Sequence, residues 1–196
     1  MADEPRLIKS EWLVKSVDIA TARALVEAHH YAAGASNTAT YLHGLFNAAD
    51  PACCLGVAWW IPPTKSAAKA SFLFDWTKVL ALSRLVIAPD VPKNAATFLL
   101  ARSRKLIDPL RWPCLVTYAD QWRGHTGAIY KADNWQYVGL TQPERTYIVK
   151  GRMTSRKTAS KTRTHAEMLA LGAEMIGSFR KHKFIRVAGP TKNAFL

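Results

Sequence analysis

Apolar positions along this chain come in short alternating or continuous blocks, broken by two stretches where they recur at helical spacing. Residues 10–17 mix apolar and polar positions as a strand does. From Asp18, a residue type that caps helices, Ile19, Ala22, Leu25, Val26 and His29 recur every three or four positions and predict a helix that Gly34 to Asn37 ends. Residues 40–46 and 53–61 read as strands joined by a turn at 47–51, and Pro62-Pro63 closes the second. Residues 64–71 read as a linker into an aromatic cluster, Phe72-Leu-Phe-Asp-Trp76, that packs on the body. A strand at 80–87 is followed by a loop punctuated by Pro89 and Pro92. The helix predicted over 94–107 turns Ala95, Leu99 and Leu106 inward and Arg102, Arg104 and Lys105 outward.

A short buried strand follows at 115–119, then a helix at 125–133 and a closing strand pair at 135–140 and 145–150. Residues 151–164 have no apolar periodicity and read as a flexible basic linker. Met168, Leu169, Gly172, Met175 and Ile176 then share one helical face, and 184–187 is a short strand. The order β-α-β-β-β-α-β-α-β-β predicts an α/β fold with a mixed central sheet flanked by helices. Residues 1–150 form the main domain, and 151–196 a basic helix–strand extension packed on or next to it.

Composition narrows the class. A chain of 196 residues with 49% hydrophobic and 21% charged positions suits one globular domain and its appendage. No apolar run reaches the roughly 20 residues that cross a bilayer, and Met-Ala-Asp-Glu-Pro carries no signal-peptide pattern, so cytoplasm and no membrane partner are expected. Three cysteines, with Cys53 and Cys54 adjacent and no Cys-x-x-Cys, build neither a disulfide framework nor a zinc site. The net charge of +13 is uneven: residues 150–196 hold 11 Lys/Arg against two Glu. Such a concentration is the footprint of a polyanion, nucleic acid first among them, against the alternative of a solvated tail. Candidate phosphate contacts are Arg156, Lys157, Lys161, Arg163, Lys181, Lys183 and Arg186, with Arg102, Arg104 and Lys105 on the middle helix.

Candidate chemistry clusters around the open ends of the 80–87 and 115–119 strands. Arg84 sits mid-strand among apolar neighbours, where an arginine is costly unless paired, so a bidentate grip on a carboxylate or phosphate is expected. Asp120 ends the next strand, as an acceptor or general base or as a cap of the following helix. Trp122 and Arg123 lie in the loop after it, placed to stack on a displaced base and hold a phosphate. His29, His30 and His125 are metal candidates, although no ligand spacing supports a metal ion.

The element order resembles the GNAT acyltransferase fold. There the strand matching 80–87 and the next helix bind acyl-coenzyme A, with the pyrophosphate on the helix N-terminus. Lys93, Asn94, Ala95 and Ala96, with Arg84, are the corresponding cofactor candidates, although the usual loop glycines are missing. More specifically, Leu82-Ser-Arg84-Leu, Pro92-Lys-Asn94, Tyr118-Ala-Asp120, His125-Thr-Gly127-x-x-Tyr130, His29-His30-Tyr31 and the basic closing strand resemble the Mom DNA-modification proteins of bacteriophages. That resemblance implies conversion of adenine N6 in double-stranded DNA to an N6-carbamoylmethyl derivative, protecting DNA from restriction in the host cytoplasm. It implies catalytic roles for Asp120, Tyr130, Arg84, His30 and Tyr31, and acetyl-CoA or a related acyl donor, with iron as a further option. A GNAT N-acetyltransferase acting on a protein or small amine, and a non-catalytic DNA-binding protein, are the alternatives. The oligomeric state, a homodimer included, stays open.

Overall fold

The computed structural model describes residues 6–31, 34, 36–72, 75–154, 156 and 161–188. Strands β1 (Trp12–Ser16), β2 (Tyr41–Asn47), β3 (Asp50–Ile61), β4 (Val79–Ile87), β5 (Cys114–Asp120), β6 (Gln136–Leu140) and β10 (Lys181–Val187) form one sheet, in the order β1-β2-β3-β4-β5-β10-β6. Strands β7 (Glu144–Val149), β8 (Arg152–Thr154) and β9 (Glu174–Phe179) form a second, in the order β8-β7-β9. The helices are α1 (Ile19–His29), α2 (Lys65–Lys69), α3 (Ala95–Lys105), α4 (Ala128–Ala132) and α5 (His165–Ala170). None is long and apolar enough to cross a membrane among the described residues.

Adjacent tryptophans on β3 show how the layers assemble. Successive side chains on a strand point to opposite faces, and Trp59 and Trp60 are both fully buried. Trp59 packs with Ala22 and Val26 of α1, and Trp60 with Leu99 and Leu100 of α3. The sheet is therefore covered on both sides, which is why β4 begins as the unbroken apolar run Val79-Leu-Ala-Leu. The Trp60 indole N–H donates to Ser103 Oγ at 2.8 Å, and Ser103 Oγ lies 2.7 Å from His43 Nδ1. This fully interior polar triad ties β2 and β3 to α3.

The sheet opens at one place. Strands β4 and β5 run parallel but pair only at Val79–Cys114, Leu80–Leu115 and Ala81–Val116. A hydrogen bond from Thr117 Oγ1 to the Leu82 carbonyl, at 3.4 Å, is the last link between them. Beyond it β4 carries a bulge at Ser83, between the Trp60–Leu82 and Trp59–Arg84 pairs. Strand β5 stays paired along its whole length with β10, from Cys114–Val187 to Asp120–Lys181. The two strands part, leaving a wedge between their C-terminal halves.

The structure departs from the expected elements in several places. Residues 64–71 contain helix α2 and not only linker. The helix expected over 125–133 is confined to α4, because Gly127 at φ 75 precedes it in a left-handed conformation. The 135–140 and 145–150 strands belong to different sheets and do not pair. Gly172, at φ 72, turns the chain after α5, so Met175 and Ile176 lie on β9 and not on a helical face. Within 151–164, β8 replaces part of the expected linker. Leu106 is half exposed, and Arg104 forms a bidentate pair with Asp133 at 3.0 Å instead of facing solvent. Residues beyond 150 also supply β10, which lies between β5 and β6 inside the main sheet.

The interior triad makes stability depend on pH. Burial pushes the His43 imidazole down to about 4 from its ordinary 6.5. Between these values the unfolded chain takes up a proton that the folded one refuses. The contribution is complete above about pH 6.5 and is lost as pH falls towards 4, to a total of about 3 kcal/mol. Urea titrations from pH 7 to 4 should show a shallower decline in His43→Gln than in the parent. Ser103→Ala strands the Trp60 N–H and should cost about 1–3 kcal/mol at neutral pH.

Candidate active site

The wedge is filled by a cavity of about 340 Å³, a size within the range of small-molecule sites. Leu82, Ser83 and Leu85 form one wall, Tyr118 and Ala119 the other. His30 and Tyr31, just beyond α1, and the segment from Gly124 to Tyr130 close it. Elements distant in sequence meet here because two strands have separated.

Asp120, the last residue of β5, stands directly opposite Lys181, the first of β10. Lys181 Nζ lies 2.9 Å from Asp120 Oδ1, and the Tyr31 hydroxyl donates to Asp120 Oδ2. Burial alone raises the Asp120 carboxyl, but the Tyr31 hydrogen bond and the Lys181 charge outweigh it and leave it below its ordinary value. Burial, the hydrogen bond to Asp120 and its negative charge all raise the Tyr31 phenol. The pair is thus an ionised carboxylate and a neutral, polarised phenol. His30 stacks on Tyr31 with ring centroids 4.4 Å apart, and burial with the nearby Arg84 charge lowers it to about 4. It is a neutral imidazole near pH 7.

Arg84 does not hold its charge open for a ligand. Its Nε donates to the Gly34 carbonyl at 2.9 Å and its Nη1 to the Ser83 carbonyl at 2.7 Å. It clasps the loop after α1, which carries His30 and Tyr31, onto the bulge of β4. Arg123 sits 5.1 Å from the Tyr31 ring and 5.1 Å from the Trp122 ring, and Trp122 lies 6.4 Å from Phe179.

Tyr130 lines the wedge from α4. Its ring packs on Phe184 at 5.3 Å and Trp135 at 5.9 Å, and its hydroxyl lies near Thr117, the residue where β4 and β5 part. Burial raises its pKa, so it stays protonated. His125 lies edge-on to Tyr31 at 5.7 Å. The structure therefore brings His30, Tyr31, Asp120, His125 and Tyr130 together, with Arg84 behind them.

The other candidates fall elsewhere. Lys93, Asn94, Ala95 and Ala96, at the start of α3, do not line the wedge. Asn94 Oδ1 accepts from the Leu7 amide at 3.2 Å, Arg6 bridges Lys93, and Ala95 is buried in the main core. No three His, Cys, Asp or Glu side chains among the described residues come close enough to hold a metal ion. His29 is exposed at the end of α1, and the Asp120 carboxylate is engaged by Tyr31 and Lys181.

Among the basic candidates, Arg186 is a structural buckle that donates to the Asp133 and Asn134 carbonyls at 2.6 and 2.9 Å. Lys183 is tied to the Ala70 carbonyl at 2.7 Å, and Lys161 pairs with Glu167 at 2.5 Å. Arg156 Nε donates to the Arg163 carbonyl at 2.8 Å. Lys157 lies outside the described residues. Sequence reasoning missed Arg145, because a lone arginine near a strand end carries no signal of its own.

Gly127 lets the wall close. A Cβ there would stand 2.2 Å from the Phe184 ring, at a backbone φ of 75. Gly127→Ala should cost at least about 2 kcal/mol in a urea titration.

A sequence model of the Mom protein family matches residues 11–193. The methylcarbamoylase Mom of Escherichia phage Mu is 27% identical over 137 residues, which cover 66% of this chain and 54% of that protein. The chain thus matches about half the length of that relative. Among solved structures, the ribosomal-protein-S18-alanine N-acetyltransferase of Escherichia coli superposes with a TM-score of 0.53 at 8% identity, covering 94% of this chain and 99% of the other. A GNAT family acetyltransferase from Elizabethkingia anophelis with acetyl-CoA bound gives 0.51 at 10% identity, covering 90% and 98%. At such identities the likeness is one of fold, that of the GNAT acetyltransferases. With nearly its whole length matched, the chain belongs to the Mom protein family.

Proposed function

We propose that this protein is a transferase that modifies the exocyclic amine of adenine in double-stranded phage DNA, in the cytoplasm of the host, adding a carbamoylmethyl group at N6. The observation that carries this reading is the wedge cavity lined by His30, Tyr31 and Tyr130, with Tyr31 bonded to Asp120 and Arg123 lying over the Tyr31 ring. Family membership and the name of the phage Mu relative support it.

The adenine amine is conjugated with its ring and is a weak nucleophile. It also lies inside the duplex, so the base must be extruded, at a cost of a few kcal/mol, before it reaches a cavity this deep. Arg123, lying over the Tyr31 ring, and Trp122 beside it supply a stacking surface next to Tyr31. Within the wedge, the amine loses a proton as its new N–C bond forms. Tyr31 can take that proton while passing its own to Asp120, a general-base relay through one hydroxyl. The low proton affinity of Asp120 makes it a late acceptor, matched to an amine that becomes acidic only as it is substituted. Tyr130, neutral and across the cavity, can protonate the departing group.

The product dictates the kind of donor. An acyl-CoA bound in the wedge supplies a thioester carbonyl, and direct transfer from acetyl-CoA would give N6-acetyladenine. A carbamoylmethyl product needs attack at a saturated CH₂ bearing the leaving group, with one N6 proton lost for each group gained. Nucleoside mass distinguishes the two outcomes.

Plasmid DNA from bacteria expressing the protein should contain an adenine nucleoside heavier by one carbamoylmethyl group. Soluble protein with only unmodified adenine would contradict the reading, and an acetyl increment would correct the donor. Tyr31→Phe and Asp120→Asn should each reduce modification by about 10²-fold or more. Arg84→Lys, which cannot span Gly34 and Ser83 together, should slow modification while DNA affinity stays unchanged in a mobility-shift titration.

A further inference from the structure

A second cavity, of about 100 Å³, lies between the two sheets. It has less than a third of the volume of the wedge cavity. Its lining carries Arg145 from β7, Arg156 and Lys181, against Asp120 and Glu144. Asp120 already has Tyr31 and Lys181 on its two oxygens, and Glu144 is itself partnered. Arg145, in contrast, makes no hydrogen bond or ion pair through its side chain among the described residues. The backbone pairing of Arg145 with Ser178 fixes its place on β7, and the bond from Arg156 Nε to the Arg163 carbonyl fixes that guanidinium.

From this placement we infer that the small cavity is a phosphodiester subsite, in which Arg145, Arg156 and Lys181 receive the backbone phosphate adjoining the extruded nucleotide. The inference rests on the DNA reading above. Its geometry is that of two cavities joined through one hydrogen bond: Tyr31 faces the wedge, Asp120 faces the small cavity, and the two are bonded to each other. Trp122 and Phe179 also line the small cavity, so the stacking surface and the phosphate seat adjoin. Lys181 would then be shared between Asp120 and the phosphate, which links seating of the backbone to the carboxylate that orients Tyr31. Arginine suits this role because its planar fork matches phosphate oxygens.

The test is DNA affinity as a function of salt, using the full chain and plasmid-derived duplex fragments. Arg145→Gln and Arg145→Gln/Arg156→Gln should lower the slope of log affinity against log salt by about 0.9 for each phosphate that is no longer neutralised. Lys78→Gln, a charge change on the exposed turn before β4, should leave the slope nearly unchanged. Arg145 is exposed, and circular dichroism of each variant checks that the fold is kept. An unchanged slope in the Arg145 variants overturns the subsite. Loss of inorganic phosphate binding by calorimetry with an unchanged DNA slope also overturns it, assigning the cavity to a phosphate on the donor. The two readings fail separately. A reduced slope with no modified adenine keeps the subsite and removes the reaction, whereas modified adenine with an unchanged slope does the reverse.

Discussion

The structure depends on the separation of two parallel strands after three residue pairs. A parallel pair buried on both faces would normally continue, since every unpaired backbone group in the interior costs free energy. Here each strand has a second neighbour that holds it in place. Strand β5 is bonded throughout to β10, while β4 is bonded to β3 and bulged at Ser83. Thr117 occupies the fork itself, donating to Leu82 and engaging Tyr130. The opening therefore lies between two fully supported strands, and a rigid cleft results instead of a frayed edge.

That cleft explains why the chemistry-bearing residues come from such distant parts of the chain. The loop after α1 enters with His30 and Tyr31, and Arg84 anchors it by gripping Gly34. The end of β5 contributes Asp120, whose charge is balanced by a cross-strand lysine on β10. Helix α4 contributes Tyr130, seated by Gly127 against Phe184. The residues beyond 150 do more than add positive charge. They supply the strand that supports β5, the lysine that holds Asp120 and part of the small sheet that forms the second cavity.

Much of the fold is legible in the sequence where the signals are local. Asp18 caps α1 by accepting from the Thr21 amide at 2.8 Å, and short apolar blocks around a turn mark β2 and β3. The insertion of β10 between β5 and β6 is not legible, because it depends on pairing across about sixty residues. Met175 and Ile176 fit a helical spacing until Gly172 turns the chain, a change of period that a short window cannot separate. In the site, Asp120, Tyr130, His30 and Tyr31 stand out in the sequence, the histidine and Tyr31 through family resemblance. Arg84 and Arg186 read as ligand contacts there because sequence cannot show that backbone carbonyls take their donors. Arg145 escapes notice for the converse reason: two charged groups that share its cavity, Asp120 and Lys181, come from the other sheet.

The central claim is that the adenine base enters the wedge between β4 and β5. The most direct measurement is photo-crosslinking of a duplex carrying a photoreactive group on adenine, with the attached peptide identified by mass spectrometry. The account predicts attachment within the segment from Tyr118 to Tyr130, or at His30 and Tyr31. Attachment confined to the basic surface beyond residue 150, with none in the wedge, would contradict it.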